Sequence, residues 1–346
     1  VNATTDKTWE HAGLGLFITL GGLLLLLTIA AGTGIGEMSI SIETTFAAMT
    51  NKIGWSAVAL NPIQESVIWD YRLSRALVGA CCGAGLAVSG AVLQSLLRNP
   101  LAEPYVLGIS AGASTGAVSI IILGVGVGTV TLSAGAFVGA FVAFAFVALL
   151  SHGARGGASK TILAGVAASQ LFNALTSYVV TTSGNAQQTR DVMFWLLGSF
   201  GGVRWPEFQL ILIVVVIGFL ICMYFASALD AFAFGDDAAA SLGIPVNIVR
   251  IALFATTALM TATIVSMVGS IGFVGLVVPH GARFIVGHNH IRLLPTCMVA
   301  GGIFMVLADI TSRVVLPQQV LPIGVVTALV GVPAFSIILY RAKSTT

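Results

Sequence analysis

Charge is what this 346-residue chain has least of: Asp, Glu, Lys and Arg together make up 8% of it, against 57% hydrophobic residues. A soluble domain carries about a quarter charged residues, so this composition cannot furnish an ordinary water-facing surface. A transmembrane barrel is excluded too, because long uncharged runs stand where short alternating segments would be needed. The net charge of +2 is too small to suggest a nucleic-acid partner. Cysteine is scarce as well. Cys81, Cys82, Cys222 and Cys297 all lie in apolar runs, with neither a zinc spacing nor a disulfide framework, and read as small buried hydrophobes.

Two further absences bear on function. No Gly-Lys pair occurs anywhere, so the chain has no phosphate loop and cannot hydrolyse a nucleotide by itself. The segment Gly157-Ala158-Ser159-Lys160-Thr161 lacks the spacing and reads as a turn ahead of a membrane span. Every Asp and Glu falls in an expected loop or at a span edge, whereas ion-coupled transporters and pumps usually need an intramembrane carboxylate. If this chain moves a solute uphill, the energy enters from outside it.

What remains is membrane-spanning material. A spanning helix needs about 20 apolar residues. The uncharged stretches predict ten spans, at about 13–32, 75–97, 104–123, 130–151, 161–182, 207–228, 249–267, 271–287, 293–310 and 322–340. The first is too long for the core of a secretory signal. The eighth and ninth are short and are expected to tilt or to cross incompletely. Glycines 124, 126 and 128 divide one long run, and Gly269-Ser270-Ile271-Gly272 divides another. An even count puts both termini on one face, and the Lys/Arg distribution, nine against six, favours the cytoplasmic face. The expected fold is an all-α polytopic membrane protein, one transmembrane domain over residues 1–346.

Several segments stand out from that background. Residues 70–112 place Arg72 and Arg75 at the start of a glycine-rich span, where Gly79 and Gly83 leave little side-chain bulk. Three residues apart, the arginines share a helix face. They read either as interfacial snorkelling or as an electropositive rim for an acidic partner, with Arg313 extending it and Asp309 one turn away as an ion-pair partner. Reversing Arg72 and Arg75 to Glu is expected to weaken docking without unfolding the protein. Gly108, Gly112 and Gly116 recur every four residues as a stripe for close helix contact. They also embed two overlapping GxSxG motifs, which as an intramembrane protease would use Ser110 or Ser114 with His280. Residues 230–248 hold Gly235, Asp236, Asp237, Ala239, Leu242 and Gly243, a short helix-like patch that begins with acids and ends in glycine. It is either a solvated connector or a helix that lies flat and receives force from a partner. Pro279 should kink or end the eighth span.

Taken together, RLSRALVGACCGAGLAVSGAVLQSLLRNPLAEPYVLGISAGA (72–113), RDVMFWLLGSFGG (190–202), GDDAAASLG (235–243), GFVGLVVPHGARFIVGHNHIRLLP (272–295), the AD-x-x-x-R at 308–313 and LPIGVVTALVGVPAF (321–335) closely resemble the permease subunits of FecCD-type ABC importers. These import ferric siderophores, haem and cobalamin across the bacterial inner membrane. The resemblance implies ten spans, the cobalamin-importer-like permease fold and a homodimer with the path between two copies. It implies two cytoplasmic ATPase subunits, which bind the ATP and Mg, and a periplasmic substrate-binding protein; the chain itself would hold no cofactor or metal. By position, Arg72, Arg75 and Arg313 would dock the binding protein, 235–243 would couple to the ATPases, and Ser159, Lys160 and Thr161 would lie at the inner gate. The family usually has Pro where this chain has Ser74, and Glu where it has Val320. A ferric siderophore is the first expectation for cargo, haem the second and cobalamin the third. The rivals are an ion-coupled secondary transporter and the intramembrane serine protease.

Overall fold

The computed structural model describes residues 3–36, 38–126, 128–151, 157–316 and 319–343. Those residues form helices and no strand: α1 (Ala3–Gly34), α2 (Ile42–Ile53), α3 (Pro62–Ser66), α4 (Ser74–Leu96), α5 (Ile109–Ile121), α6 (Leu132–Ser151), α7 (Gly157–Ser183), α8 (Ala186–Leu196), α9 (Trp205–Tyr224), α10 (Ala226–Phe232), α11 (Asp236–Ser241), α12 (Val246–Val268), α13 (Val274–Val286), α14 (His290–Val314) and α15 (Ile323–Lys343). Six helical stretches are long and apolar enough to cross a membrane, and four shorter apolar helices accompany them. Each of the ten expected segments falls on one of these.

The central helix is α4, buried along almost its whole length. Its glycines let neighbouring backbones touch it. A Cβ on Gly83 would stand 2.0 Å from the Gly301 carbonyl of α14, and one on Gly90 would stand 1.9 Å from the Gly275 carbonyl of α13. The pair α5–α6 is closed in the same way, since a Cβ on Gly116 would meet the Gly135 carbonyl at 2.1 Å and one on Gly112 the Ala143 methyl at 2.4 Å. Helices of this kind associate through backbone proximity, because lipid supplies no hydrophobic drive between them. Around them α6, α7 and α9 turn large apolar side chains outward: Phe141, Leu149, Leu163, Ile213 and Leu220 are all exposed.

Four local departures from the sequence reading have physical causes. The second span starts early: α3 runs into α4 through a π-helical turn, Val67–Leu73, giving one continuous helix from Pro62 to Leu96. The expected span 104–123 is broken, with a 3-10 turn at Pro104–Leu107 and Gly108 at φ +74° before α5 begins. Gly108 therefore leaves the packing stripe and serves as a left-handed hinge against Ala168. Residues 157–161 form the first turn of α7 rather than a turn ahead of it. Finally, α8 occupies 186–196, where no element was expected; a capping box between Asn185 and Gln188 starts it.

Irregular backbone inside a membrane bundle must still be hydrogen-bonded. The breaks here satisfy one another. Ser199 N–H donates to the Val268 carbonyl (2.8 Å), Ile323 N–H to that of Gly198 (3.0 Å) and Gly324 N–H to that of Leu197 (3.0 Å). The Tyr105 hydroxyl donates to the Ile271 carbonyl and accepts from the Ile271 N–H, both at 2.9 Å. Gly269, at φ +76°, lies where a Cβ would strike the Trp195 carbonyl at 2.2 Å.

Candidate functional site: two bundle ends and an outward polar helix

At the end of the bundle where α1 finishes, Arg72, Arg75 and Arg313 come together as the sequence spacing anticipates, but they form no exposed rim. Their residues are 2%, 1% and 5% exposed. Arg75 grips Asp309, with Nε donating to Oδ1 at 2.8 Å and the terminal nitrogen 2.7 Å from the same oxygen. Arg313 meets the other oxygen of Asp309 at 3.0 Å, the pairing expected one turn along α14. Arg75 also donates to the Tyr71 hydroxyl (2.9 Å), and Arg72 and Arg313 reach the end of α1 and the residues just after it. Arg313 donates to the carbonyls of Ile35 (2.6 Å) and Gly32 (3.0 Å), and Arg72 to those of Gly34 (2.9 Å) and Met38. The last carbonyls of a helix lack intrahelical partners and carry its negative dipole end, so Arg72 and Arg313 cap α1. Arg75 and Arg313 share one carboxylate, and backbone carbonyls receive Arg72. The cations that this end exposes are others: Arg190, Lys52, which pairs with Glu65 at 3.5 Å, and Arg204, which stacks on the Tyr71 ring at 4.8 Å.

The same geometry corrects the reading of the acids. Because α14 runs on to Val314, Asp309 lies within it at 0% exposure, not at a span edge. Glu103 is half-buried between α4 and α5, where it accepts the N–H of Phe273 (3.2 Å) at the start of α13. Asp309 is committed to two arginines and Glu103 to a helix terminus.

At the opposite end, the segment read as either a connector or a short helix is a short helix. α11 begins at Asp236 and Asp237, flanked by Gly235 at φ +104° and Gly243 at φ +80°. It lies on the bundle through Ala239, which is fully buried, and turns Leu242 outward at 71% exposure, beside Phe234 at 82%. Asp236 is tied to Arg250 of α12 at 2.5 Å. That hydrogen bond holds the Asp236 carboxyl below its usual titration range, against a smaller opposing push from burial. Ser159, Lys160 and Thr161 sit in the first turn of α7. His152 and Arg155 lie outside the described residues.

Between the two ends, α7 turns a polar face outward. Gln170, Asn173, Ser177 and Thr181 are all exposed and follow one another at helical spacing. On its other side α7 is bonded to α5, where the Thr115 hydroxyl meets the Phe172 carbonyl (2.8 Å) and the Thr176 hydroxyl (2.9 Å). The protease constellation is not assembled. Ser110 donates to the Ser270 hydroxyl and Ser114 to the Ser110 carbonyl, while His280 stacks on Phe284 with a buried Nδ1 that has no hydrogen-bond partner among the described residues. No group of three or more metal-ligating side chains occurs among the described residues.

Known proteins match this chain over almost its full length. The FecCD transport family matches residues 23–341. The cobalamin import system permease protein BtuC of Halobacterium salinarum is 34% identical over 335 residues, covering 92% of this chain and 89% of the relative. The molybdate import system permease protein MolB of Haemophilus influenzae is 33% identical over 325 residues, covering 93% and 94%. Among solved structures, an ABC transporter of the metal-chelate type in an inward-facing conformation superposes with a TM-score of 0.82 at 31% identity, covering 94% of this chain and 99% of that one. PsaBC of Streptococcus pneumoniae shares the fold alone, with a TM-score of 0.52 at 18% identity. On these matches the chain belongs to the FecCD transport family, as a multi-pass permease of the ABC-importer kind.

Proposed function

We propose that this chain is half of a homodimeric, ATP-driven importer that carries an iron chelate, a ferric siderophore first, inward between two facing copies of α7. The observation that carries the reading is the outward stripe of Gln170, Asn173, Ser177 and Thr181. An amide facing hydrocarbon without a partner costs several kcal/mol, about 4–8 on a scale with no hydrogen bonding, so Gln170 and Asn173 belong against water or another polar surface. A second copy placed across α7 encloses them in a wet path. The stripe is uncharged, and neutral donors and acceptors suit a bulky chelate better than a bare oxyanion. The relatives named for cobalamin and for molybdate import mark the range of cargo in similar proteins, and the metal-chelate transporter supports the chelate reading.

Two ATPase subunits supply the energy and meet the exposed face of α11, including Leu242. The termini and α11 then lie in the cytoplasm, and the arginine cluster lies on the periplasmic side. A periplasmic binding protein docks there. The first cations it meets are Arg190 and Arg204; Arg72 and Arg313 become available only if the C-terminal end of α1 releases them, and Arg75 only if Asp309 does. Ser159 to Thr161 stand at the cytoplasmic mouth, where a gate is expected.

Asn173→Cys and Ser177→Cys variants, assembled with the ATPases in proteoliposomes, test the path. A water-soluble thiol reagent should label both and stop ATP-driven uptake of a ferric hydroxamate chelate. Labelling by lipid-soluble reagents alone, with uptake intact, contradicts the reading. Faster uptake of molybdate than of the chelate overturns the assignment of cargo while leaving the path standing.

A further inference from the structure

We propose that Asp230, His290 and Ser95 form the joint through which displacement of the coupling segment reaches the membrane-spanning bundle. The proposal rests on the reading of α11 as the seat for an ATPase. Asp230 lies in the last turn of α10, five residues before Gly235. Its Oδ1 accepts the backbone N–H of His290 at 3.0 Å and stands 2.5 Å from the His290 Nδ1. The other ring nitrogen, Nε2, is 2.6 Å from the Ser95 hydroxyl. His290 opens α14 and is 4% exposed; Ser95 belongs to the last turn of α4. One imidazole therefore bridges α10 to both α4 and α14, with Nδ1–H donating to the Asp230 carboxylate and Nε2 meeting the Ser95 hydroxyl.

What lies on each side of this bridge is tied together. Toward the coupling segment, Arg250 of α12 holds Asp236 at 2.5 Å and lies over the ring of Phe232 at 5.8 Å, so α10, α11 and the start of α12 are joined. Away from it, α4 and α14 touch backbone to backbone at Gly83 and Gly301 and are locked at their far ends by Arg75 and Asp309. The α4–α14 pair is thus a stiff rod with a polar anchor at each end. An apolar contact at the lower anchor would slide under load, whereas short bonds to both ring nitrogens fix the register of all three helices.

The spacing of Asp230, His290 and Ser95 also matches a hydrolase relay, but the surroundings do not. The Ser95 hydroxyl bonds back to the Ala91 carbonyl at 3.1 Å. The N–H groups of Leu97, Arg98 and Asn99 are taken by the carbonyls of Leu93, Ser95 and Gln94, so none of these three is free to hold an oxyanion. The trio positions helices and attacks nothing.

The test uses the permease assembled with its ATPase subunits in proteoliposomes and needs no cargo. A reporter, Val315→Cys, sits just beyond the far end of α14 at an exposed position, in a background carrying Cys81→Ala. In the otherwise unchanged complex, ATP with vanadate should alter the reporter's reaction rate with an impermeant maleimide by about fivefold or more, the low end of ordinary allosteric coupling. With His290→Leu, which fills the space without the bonds, ATP hydrolysis should continue while the reporter no longer responds. Ser95→Ala, a milder change, should weaken the response, and His290→Gln, which keeps polar groups at both positions, should recover part of it. A full reporter response in the His290→Leu variant overturns the joint alone. A permease that fails to bind the ATPases at all overturns the underlying reading, and the joint with it.

Discussion

Replacing Asp309 with Asn takes away the carboxylate against which two buried arginines are held. The side chains of Asp309, Arg75 and Arg313 are 0%, 1% and 3% exposed, so solvent cannot replace the lost charge. Breaking a buried pair by removing one partner costs about 3–5 kcal/mol, because the other charge stays behind. Arg313 keeps its bonds to the Ile35 and Gly32 carbonyls, so most of the loss falls on Arg75. The Asn oxygen still accepts one hydrogen bond, which places the expected loss near the lower figure, about 3 kcal/mol. In a detergent-solubilised thermal melt of a 346-residue chain that corresponds to a midpoint lower by about 4 °C. The double replacement Asp309→Leu with Arg75→Met removes both charges and should recover much of the loss. A melt of Asp309→Asn indistinguishable from the parent refutes the reasoning, as does a double variant less stable than the single one. By the same physics, reversing Arg75 to Glu sets two buried carboxylates face to face. The protein should then lose stability, contrary to the sequence-based expectation that only docking would suffer.

Gly83→Val should separate α4 from α14, since even a Cβ there lies 2.0 Å from the Gly301 carbonyl; a loss of at least about 1–3 kcal/mol is expected, read as a lower melting midpoint. An unchanged midpoint means that the two backbones do not touch. The Asp236–Arg250 contact should depend on pH. Because Arg250 lowers the titration of Asp236, its contribution is complete above the ordinary carboxylate range and fades as pH falls through the depressed value. Amide exchange over α11 should rise with acidification in the parent beyond the intrinsic trend, and should already be raised at neutral pH in Asp236→Asn. Equal exchange in the two proteins at neutral pH contradicts this.

Long uncharged runs, and glycines at their breaks, were enough to mark where helices lie, because bilayer thickness and backbone hydrogen bonding leave few alternatives. The α11 segment was legible for a similar reason: acids at one end and glycine at the other match helix-terminus chemistry. Most of the departures come from tertiary context. Nothing in the sequence near Arg72 tells that the carbonyls of Gly34 and Met38, 38 and 34 residues away at and beyond the end of α1, will accept its donors. Asp309 reads as an edge residue until α14 is seen to extend past it. Gly108 fits the small-residue stripe by spacing, but Pro104 and the close passage of α7 turn it into a hinge. The Asp230–His290–Ser95 bridge joins positions 60 and 195 residues apart and leaves no local signal. The capping box at Asn185 and Gln188, by contrast, was a readable sign of α8 that the hydrophobic pattern obscured.

Uphill flux in proteoliposomes bears most directly on the central claim, that this chain is a conduit whose driving energy comes from a nucleotide-hydrolysing companion. Containing the permease alone, vesicles should accumulate none of a ferric hydroxamate chelate, haem or cyanocobalamin under a proton or sodium gradient. With the ATPases, the binding protein and ATP added, at least one of these should concentrate inside. Accumulation by the permease alone, driven by either gradient, would contradict the account.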